Sequence, residues 1–259
     1  MKIWFFRLSG YNYPTMSEEG HIHPISQIIS NTEAIFREMG FAVASGPEME
    51  TEYYNFDALN IPTHHPARDM WDTFWIKPEN ARKLLRTHTS PVQVRYAETH
   101  KPPIRIIVPG KTFRHEATDA THEAQFFQLE GLMIEEDVTL ANLKFVLTNY
   151  FEKLFDTQTN IRFRPSFFPF VEPGVEIDMS CFKCDGSGKD CNTCRGTGWI
   201  EIMGAGMVHP KVLQAMKIDP NKYKGFAFGG GVDRIAMIKY GIDDIRSFYS
   251  GDLRVINQF

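Results

Sequence analysis

The chain has 259 residues, enough for one sizeable hydrophobic core or two modest ones. Hydrophobic residues make up 42% and charged residues 23%, as in an ordinary globular protein, and the net charge of −4 lacks the basic surplus of a chain that holds nucleic acid on its own. With no apolar run near the ~20 residues that cross a bilayer and no signal-peptide pattern at its start, the sequence predicts a cytoplasmic protein without a membrane anchor.

The first 110 residues predict a helix, a mixed segment and a strand, in that order. Apolar residues recur at helical spacing over 23–41, where Pro24 is suited to begin the helix and Gly40 to end it. One or two further helices are expected within 79–99, broken by the proline inside that stretch. Residues 104–110 predict a buried strand that ends in a turn.

The remaining residues predict strands around one more amphipathic helix. Two strands are expected at 111–116 and 126–136, joined by a polar loop, and Thr139 is suited to cap a helix over 139–155. Shorter strands follow, the last of which runs through three glycines into a helix: 161–165, 175–180, 198–206 and 225–241. Because strands and helices do not alternate regularly, we expect the α+β class, a mostly antiparallel sheet flanked by helices.

Four polar residues on the two middle strands are candidates for ligand binding. Residues i and i+2 share a face of a strand, so Arg114 would point the same way as Glu116, and Gln128 the same way as Glu130. The alternative is a solvated face with cross-strand ion pairs. The loop between the strands supplies further groups able to hold an anion or an ammonium: His115, His122 and Glu123.

Two further motifs suggest a ligand site. GGGVDR at 229–234 lacks the GK[ST] of a P-loop, yet glycines at a strand-to-helix junction let a ligand approach the backbone, and Arg234 is able to hold a phosphate bidentately. SFFPFVEPG at 166–174 sets three phenylalanines beside two prolines, which suits a pocket wall for an aromatic ligand. The alternatives are close helix–sheet packing with a surface arginine for the first motif, and core packing for the second.

Together these features predict a site for an aromatic ligand that carries an amine and a carboxylate, next to arginines that bind phosphate. ATP-dependent activation of an amino acid requires that combination. Such a reaction needs no protein nucleophile, because the substrate carboxylate attacks the α-phosphate and cations stabilise the developing charge.

All four cysteines lie in one doubled unit, CFKCDGSGKDCNTCRGTGW. Cys181, Cys184, Cys191 and Cys194 have the spacing and number of a closed, structural Zn²⁺ site. Four unrelated thiols, or the zinc module of a DnaJ-type chaperone, are the alternatives. We expect residues 181–198 to be an insert that caps a hairpin, residues 1–20 an irregular lead-in, and residues 21–259 a single domain.

Over roughly residues 20–259 the sequence resembles the α-subunit family of bacterial phenylalanine–tRNA ligases, and the matching phrases occur in the same order as in that family. The phrases that carry the resemblance are NFDALNIPTHHPARDMWDTFW, LLRTHTSPVQVR, PPIRIIVPGKTFRHEATDATHE, FFQLEGL, RFRPSFFPFVEPG, GAGMVHPKVL and GFAFGGGVDRIAMIKYGIDDIRSF. The resemblance implies a class II aminoacyl-tRNA synthetase catalytic domain that activates L-phenylalanine and charges tRNA(Phe). It further implies an (αβ)₂ heterotetramer with a β subunit. The family's α subunit usually begins with a coiled-coil arm that contacts tRNA, and no segment of this sequence predicts one.

The resemblance also implies a role for each residue at a matching position. Pro47 matches the interface motif, Arg114 and Glu116 the second class II motif, and Arg234 the third. Residues implied to bind ATP are Arg114, Glu116, His122, Phe126 and Arg234. Residues implied to bind phenylalanine are Trp71, His88, Ser90, Gln128, Glu130, Phe168, Phe170, Val171 and Ala227. Glu172 matches a Mg²⁺ ligand site shared with the β subunit.

A non-catalytic, synthetase-like paralogue that acts as a binding or regulatory module is the alternative function. Such paralogues usually lose an ATP-binding arginine or an acidic site residue. The five polar residues that matter most are all present: Arg114, Glu116, Gln128, Glu130 and Arg234. The sequence therefore favours the enzyme, with ATP as substrate and with Mg²⁺ and a structural Zn²⁺ as its metals.

Overall fold

The computed structural model describes residues 20–64 and 73–259. Its helices are α1 (Pro24–Glu38), α2 (Glu52–Asn55), α3 (Pro91–Thr99), α4 (Leu140–Phe155), α5 (Pro210–Ala215), α6 (Val232–Tyr240) and α7 (Leu253–Ile256), with 3₁₀ turns at Asp57–Leu59, Glu79–Ala81 and Ile245–Phe248. Its strands are β1 (Ala42–Val43), β2 (Met49–Thr51), β3 (Lys83–Leu85), β4 (Ile104–Phe113), β5 (Gln125–Glu135), β6 (Ile161–Phe168), β7 (Val171–Ser180), β8 (Trp199–Val208) and β9 (Lys224–Gly231). The lead-in predicted for residues 1–20 lies almost wholly outside the described residues.

The described strands form a seven-stranded sheet in the order β1-β4-β5-β9-β8-β7-β6, and β2 pairs with β3 separately. Neighbouring strands of the large sheet are antiparallel except β1 and β4, which are parallel. The predicted α+β class, with a mostly antiparallel sheet and flanking helices, is therefore confirmed. None of the helices within residues 20–64 and 73–259 combines the length and apolar character that a membrane span needs.

The two strongest helix predictions are confirmed by the caps that start them. His23 begins α1, where its Nδ1 accepts the backbone N–H of Ile25, and Pro24 occupies the first helical position. Thr139 begins α4 with a capping box: its side chain accepts the N–H of Asn142, whose side chain accepts the N–H of Thr139. Both helices bury their apolar faces against the same side of the sheet.

The turn predicted near residue 110 is wrong, because β4 continues without interruption to Phe113. A side chain on Gly110 would lie 2.5 Å from Nη2 of Arg86, so the glycine serves the close approach of that guanidinium rather than a turn. The strand predicted over 111–116 is shorter than expected, and Arg114 and Glu116 follow its end. Residues 79–99 hold a 3₁₀ turn, a short strand and one helix, which Pro91 begins rather than breaks.

The proline-rich segment forms the hairpin of β6 and β7 at one edge of the sheet. Pro165 lies on β6, which is the edge strand, and Pro173 lies where the β7–β8 register shifts. Both positions tolerate a missing N–H, which explains how prolines enter this sheet. The cysteine insert follows directly, between Ser180 at the end of β7 and Trp199 at the start of β8, as predicted.

Two apolar clusters lie on opposite faces of the sheet. The larger one packs α1, α4 and α6 against one face. The smaller one packs α3, α5 and the 3₁₀ turn Asp57–Leu59 against the other, beside strands β4, β5 and β9. This second cluster covers its face incompletely, and the space it leaves is the candidate site.

The larger cluster leaves no room for a side chain at Gly131. A methyl group there would lie 2.1 Å from Cζ of Phe228, its partner across β5 and β9. We expect Gly131→Ala to lower the free energy of unfolding by about 1–3 kcal/mol through overpacking. Gly20→Ala is the control in denaturant unfolding, because nothing lies within 4 Å of that methyl group. Equal stability of the two variants would contradict the packing described.

Candidate functional site

A cavity of about 190 Å³ opens on the sheet face that carries α3 and α5. A cavity of about 150 Å³ already holds a benzene molecule, so this space suits one aromatic side chain with its polar end. Its lining comprises Leu59, His88, Ser90, Gln93, Arg114, Gln128, Glu130, Phe168, Phe170, Val171, Gly204, Ala205, Val208, Val212, Ala227, Phe228 and Gly229. The structure thus brings together eight of the nine residues predicted to bind phenylalanine, and Trp71 lies outside the described residues.

One end of the cavity is built around Glu130, which is 5% exposed. Its Oε1 accepts the backbone N–H of Thr89 at 3.1 Å, and its Oε2 accepts the Ser90 hydroxyl at 2.6 Å and Nε2 of Gln93 at 2.8 Å. Burial raises the pKa of Glu130 to about 7, against the hydrogen bonds from Ser90 and Thr89, which lower it. A cationic ligand at this end would restore the charged form.

Gln128 and His88 complete the polar end. The Gln128 Oε1 atom is buried and has no hydrogen-bond partner within the described residues, so it is available to accept from a ligand. Burial, with the positive charge of Arg114, lowers the pKa of His88 to about 3. The imidazole is therefore neutral at physiological pH, and it adds no positive charge that would repel an ammonium.

Arg114 lies at the mouth of the polar end. Its Nε donates to the carbonyl of Thr87 at 3.3 Å, its guanidinium lies 5.0 Å from the ring centroid of Phe126, and Nη1 lies 3.9 Å from Glu116. Burial lowers the pKa of the Arg114 guanidinium, while Glu116 and Glu130 raise it. None of these contacts is a close bidentate ion pair, so the guanidinium keeps donors for an anionic ligand.

The other end of the cavity is apolar and closely fitted. The rings of Phe168 and Phe170 stack with centroids 5.9 Å apart and planes at 21°. A side chain at Gly204 would come within 2.8 Å of the Phe168 ring, so that glycine lets the ring lie flat on the sheet. Ala227 on β9 lines the floor beside these rings and is 9% exposed. An aromatic group is the natural occupant.

The remaining predicted residues do not belong to the lining of the cavity. Arg234, in the first turn of α6, donates from Nε to the carbonyl of Glu201 at 2.9 Å. His122 is on the loop between β4 and β5, with Nδ1 3.0 Å from Asp119. Glu172 is 74% exposed in a neighbouring surface depression and lies 3.3 Å from Nε2 of His209.

Two residues that shape the site were missed in the sequence. Gln93 holds Glu130 from the first turn of α3, three residues after Ser90, and that i, i+3 spacing on a helix is a signal that could have indicated it. Arg86 is buried and donates to the carbonyls of Lys111 and Gly46, at 2.7 and 3.1 Å, joining β4 to the loop before β2. Nothing in the sequence pattern indicated its burial.

The four cysteines converge at the far end of the β7–β8 hairpin. They are free thiols, and their Sγ atoms all lie within 4.8 Å of one another. The separations Cys181–Cys191 and Cys184–Cys194 are both 3.7 Å. A tetrahedron with metal–sulfur bonds of about 2.3 Å has edges of about 3.8 Å, so the arrangement fits a four-coordinate thiolate site.

Comparisons with known proteins agree with this fold. Residues 11–259 match the family model described as the tRNA synthetases class II core domain (F). A crystal structure of pyrrolysyl-tRNA synthetase from Desulfitobacterium hafniense superimposes with a TM-score of 0.63 over 86% of this chain and 72% of that one. At 18% identity, this second likeness concerns the fold alone. The class of protein is therefore a class II aminoacyl-tRNA synthetase.

Curated relatives narrow this class further. The chain is 56% identical over 242 residues to the phenylalanine–tRNA ligase alpha subunit of Anoxybacillus flavithermus, which is 93% of this chain and 69% of that protein. It is 54% identical to the same subunit of Bacillus subtilis, with the same shares of the two chains covered. The chain belongs to the family of phenylalanine–tRNA ligase alpha subunits.

The buried Glu130 carboxyl makes stability depend on pH in a defined window. Between the usual pKa of 4.5 and the folded value of about 7, the folded state binds the proton more tightly than the unfolded chain. The free energy of unfolding therefore falls as pH rises through this window, by up to about 3 kcal/mol, and falls no further from this source at higher pH. Glu130→Gln removes the titration, so its decline between pH 5 and pH 8 is expected to be shallower in denaturant unfolding. Parallel pH profiles for the two proteins would contradict the assignment.

Proposed function

We propose that the chain catalyses ATP-dependent activation of L-phenylalanine to phenylalanyl-adenylate and transfer of the phenylalanyl group to tRNA(Phe). The observation that carries the proposal is the two-ended cavity, with a buried carboxylate at one end and two stacked phenylalanines at the other. That polarity matches a free aromatic amino acid. The curated relatives are named for the same substrate.

In this proposal phenylalanine lies along the cavity with its ring on Phe168 and Phe170. Its ammonium pairs with Glu130 and donates to the Oε1 of Gln128, which is the acceptor left without a partner in the described residues. His88, Ser90 and Trp71 complete the polar contacts, and Val171 and Ala227 bound the ring. Ala227 limits the depth beyond the para position.

ATP lies across the mouth of the cavity. Arg114 holds the α-phosphate, Phe126 stacks on adenine, Glu116 accepts from its amino group, and Arg234 holds the γ-phosphate, with His122 nearby. The carboxylate of phenylalanine attacks the α-phosphorus in line and pyrophosphate leaves, while Arg114 offsets the charge on the α-phosphate oxygens. The 2′-hydroxyl of the terminal ribose of tRNA then attacks the carbonyl carbon of the adenylate, and AMP leaves as the aminoacyl ester forms.

The proposal includes Mg²⁺ and a β subunit. Glu172 is the candidate ligand, shared with the partner, and its 74% exposure leaves the carboxylate accessible from outside this chain. When bound, Mg²⁺ offsets the charge of the phosphates. We propose an (αβ)₂ heterotetramer in the cytoplasm, in which the β subunit completes this metal site.

Phenylalanine-dependent ATP–pyrophosphate exchange tests the function. The chain combined with its β subunit is expected to exchange, and tyrosine is expected to be a poor substitute by about 10²-fold or more. A binding or regulatory paralogue would give no exchange under the same conditions.

Ala227→Gly tests the orientation of phenylalanine in the cavity. Removing the methyl group deepens the apolar end, so phenylalanines with a para substituent are expected to become substrates in the exchange assay. Unsubstituted phenylalanine in the same variant is the control. No gain with para-substituted analogues would show that Ala227 does not bound the ring.

We propose that the four cysteines bind one structural Zn²⁺ per chain. The sulfur positions fit a closed tetrahedron, which leaves no position for a reactant. Metal analysis of protein purified without chelator is expected to give one zinc per chain, and Cys184→Ser with Cys194→Ser is expected to lose it. Intact protein that contains no zinc would contradict the proposal.

A further inference from the structure

The pairing of β5 with β9 ends at a point close to the proposed ATP site. The last pair is Gln128 with Gly231, after which β9 gives way to α6. The next backbone N–H on β5, that of Phe127, therefore has no strand partner on this side. Asp233, in the first turn of α6, supplies the missing acceptor: its Oδ2 lies 2.7 Å from the Phe127 nitrogen.

Asp233 is buried, and both of its carboxylate oxygens accept a hydrogen bond. It is 1% exposed, and its Oδ1 accepts the hydroxyl of Tyr249, which lies just beyond the 3₁₀ turn Ile245–Phe248. Burial raises the pKa of the Asp233 carboxyl, while the hydrogen bonds from Tyr249 and Phe127 lower it. One carboxylate thus joins a strand, a helix and the C-terminal segment.

The Asp233 contact with Phe127 constrains the position of Phe126 more than that of Gln128. Gln128 is paired on both sides, with Gly110 on β4 and with Gly231 on β9. Phe126 is paired only with Thr112 on β4. The Asp233 contact is therefore what fixes the strand on the β9 side at Phe126, whereas Gln128 is already fixed by its own partners.

Asp233 also precedes Arg234 on the same helical turn. Arg234 lies on the outside of that turn and reaches the carbonyl of Glu201 on β8. The first turn of α6 is therefore tied to β5 by one residue and to β8 by the next. The position of this first turn of α6 therefore sets the distance between the Phe126 ring and the Arg234 guanidinium.

We propose that Asp233 is a positioning residue for ATP: through the Phe127 amide and the first turn of α6 it fixes the adenine-stacking ring of Phe126 relative to the phosphate-binding Arg234. It does not itself touch the nucleotide. The inference rests on the proposed function, and it adds a residue that the family resemblance did not assign.

The test is Asp233→Asn in the chain assembled with its β subunit. Asparagine has the same shape, but its single acceptor oxygen is neutral, so the hydrogen bond to the Phe127 N–H loses its charge assistance, and Tyr249 keeps a partner only by accepting from the new amide. The KM for ATP in pyrophosphate exchange is expected to rise about ten-fold, while the KM for phenylalanine stays within about three-fold. Asp233→Glu, which keeps both acceptor oxygens but displaces them by one methylene group, is the second variant and is expected to give a smaller rise with the same selectivity.

Tyr249→Phe is the matched control. It removes a hydrogen bond from the same carboxylate but leaves the Phe127 contact, so it is expected to lower Tm with the KM for ATP within about three-fold of the wild type. Equal rises in both KM values for Asp233→Asn, or a fall in Tm with both unchanged, would overturn the inference. An inactive wild-type complex would instead contradict the proposed function, and calorimetric titration with ATP would then make the same comparison.

Discussion

A carboxylate buried in a sheet constrains everything around it. Glu130 must be met by donors because an unpaired charge in that position would cost several kcal/mol. The donors come from one short stretch, residues 89–93, where a loop enters α3. The strand beside it must carry glycine, since a methyl group at Gly229 would lie 2.6 Å from the Glu130 Cγ. The position of α3, the glycine at 229 on β9 and the polar end of the cavity thus follow from one side chain.

This fixed arrangement also explains why the site needs no side chain that reacts with the substrate. Donors, acceptors and rings are fixed by backbone pairing and packing before any ligand arrives, which is the condition under which electrostatic stabilisation is most effective. Arg114 has contacts that orient it without neutralising it. His88 is neutral because it is buried beside Arg114, so it adds no further positive charge at the polar end of the cavity. The arrangement positions reactants and leaves the bond-making to them.

Much of the fold and of the candidate site was predictable from local sequence rules, and the predictions that failed did so for identifiable physical reasons. The helices begun by Pro24 and Thr139 have caps and periodicity that act within a few residues, so they were predicted closely. The alternation of Gln128 and Glu130 put both on the face they occupy. The sequence failed at Gly110, where a glycine that signals a turn instead makes room for Arg86, a residue 24 positions earlier in the chain. Arg86 and Asp233 act through contacts between distant segments, which no local pattern indicates, whereas the i, i+3 spacing of Gln93 from Ser90 was a local signal.

The cysteine insert is a compact unit at the end of the β7–β8 hairpin. Its two halves are related by an approximate two-fold: the amides of Gly188 and Gly198 donate to Cys184 and Cys194, each at 3.3 Å, and a side chain on either glycine would strike a carbonyl of the other half. Each half therefore excludes a side chain at the matching glycine of the other. Because Ser180 and Trp199 are already paired at its base, exchange of the whole insert for a short turn preserves the register of β7 and β8. Such an exchange would remove the stack of Phe182 on Phe155 and the packing of the buried Cys181 and Cys194 against the larger cluster. The insert is thus a self-contained unit whose replacement leaves unchanged the part of the β7–β8 pairing that lines the cavity.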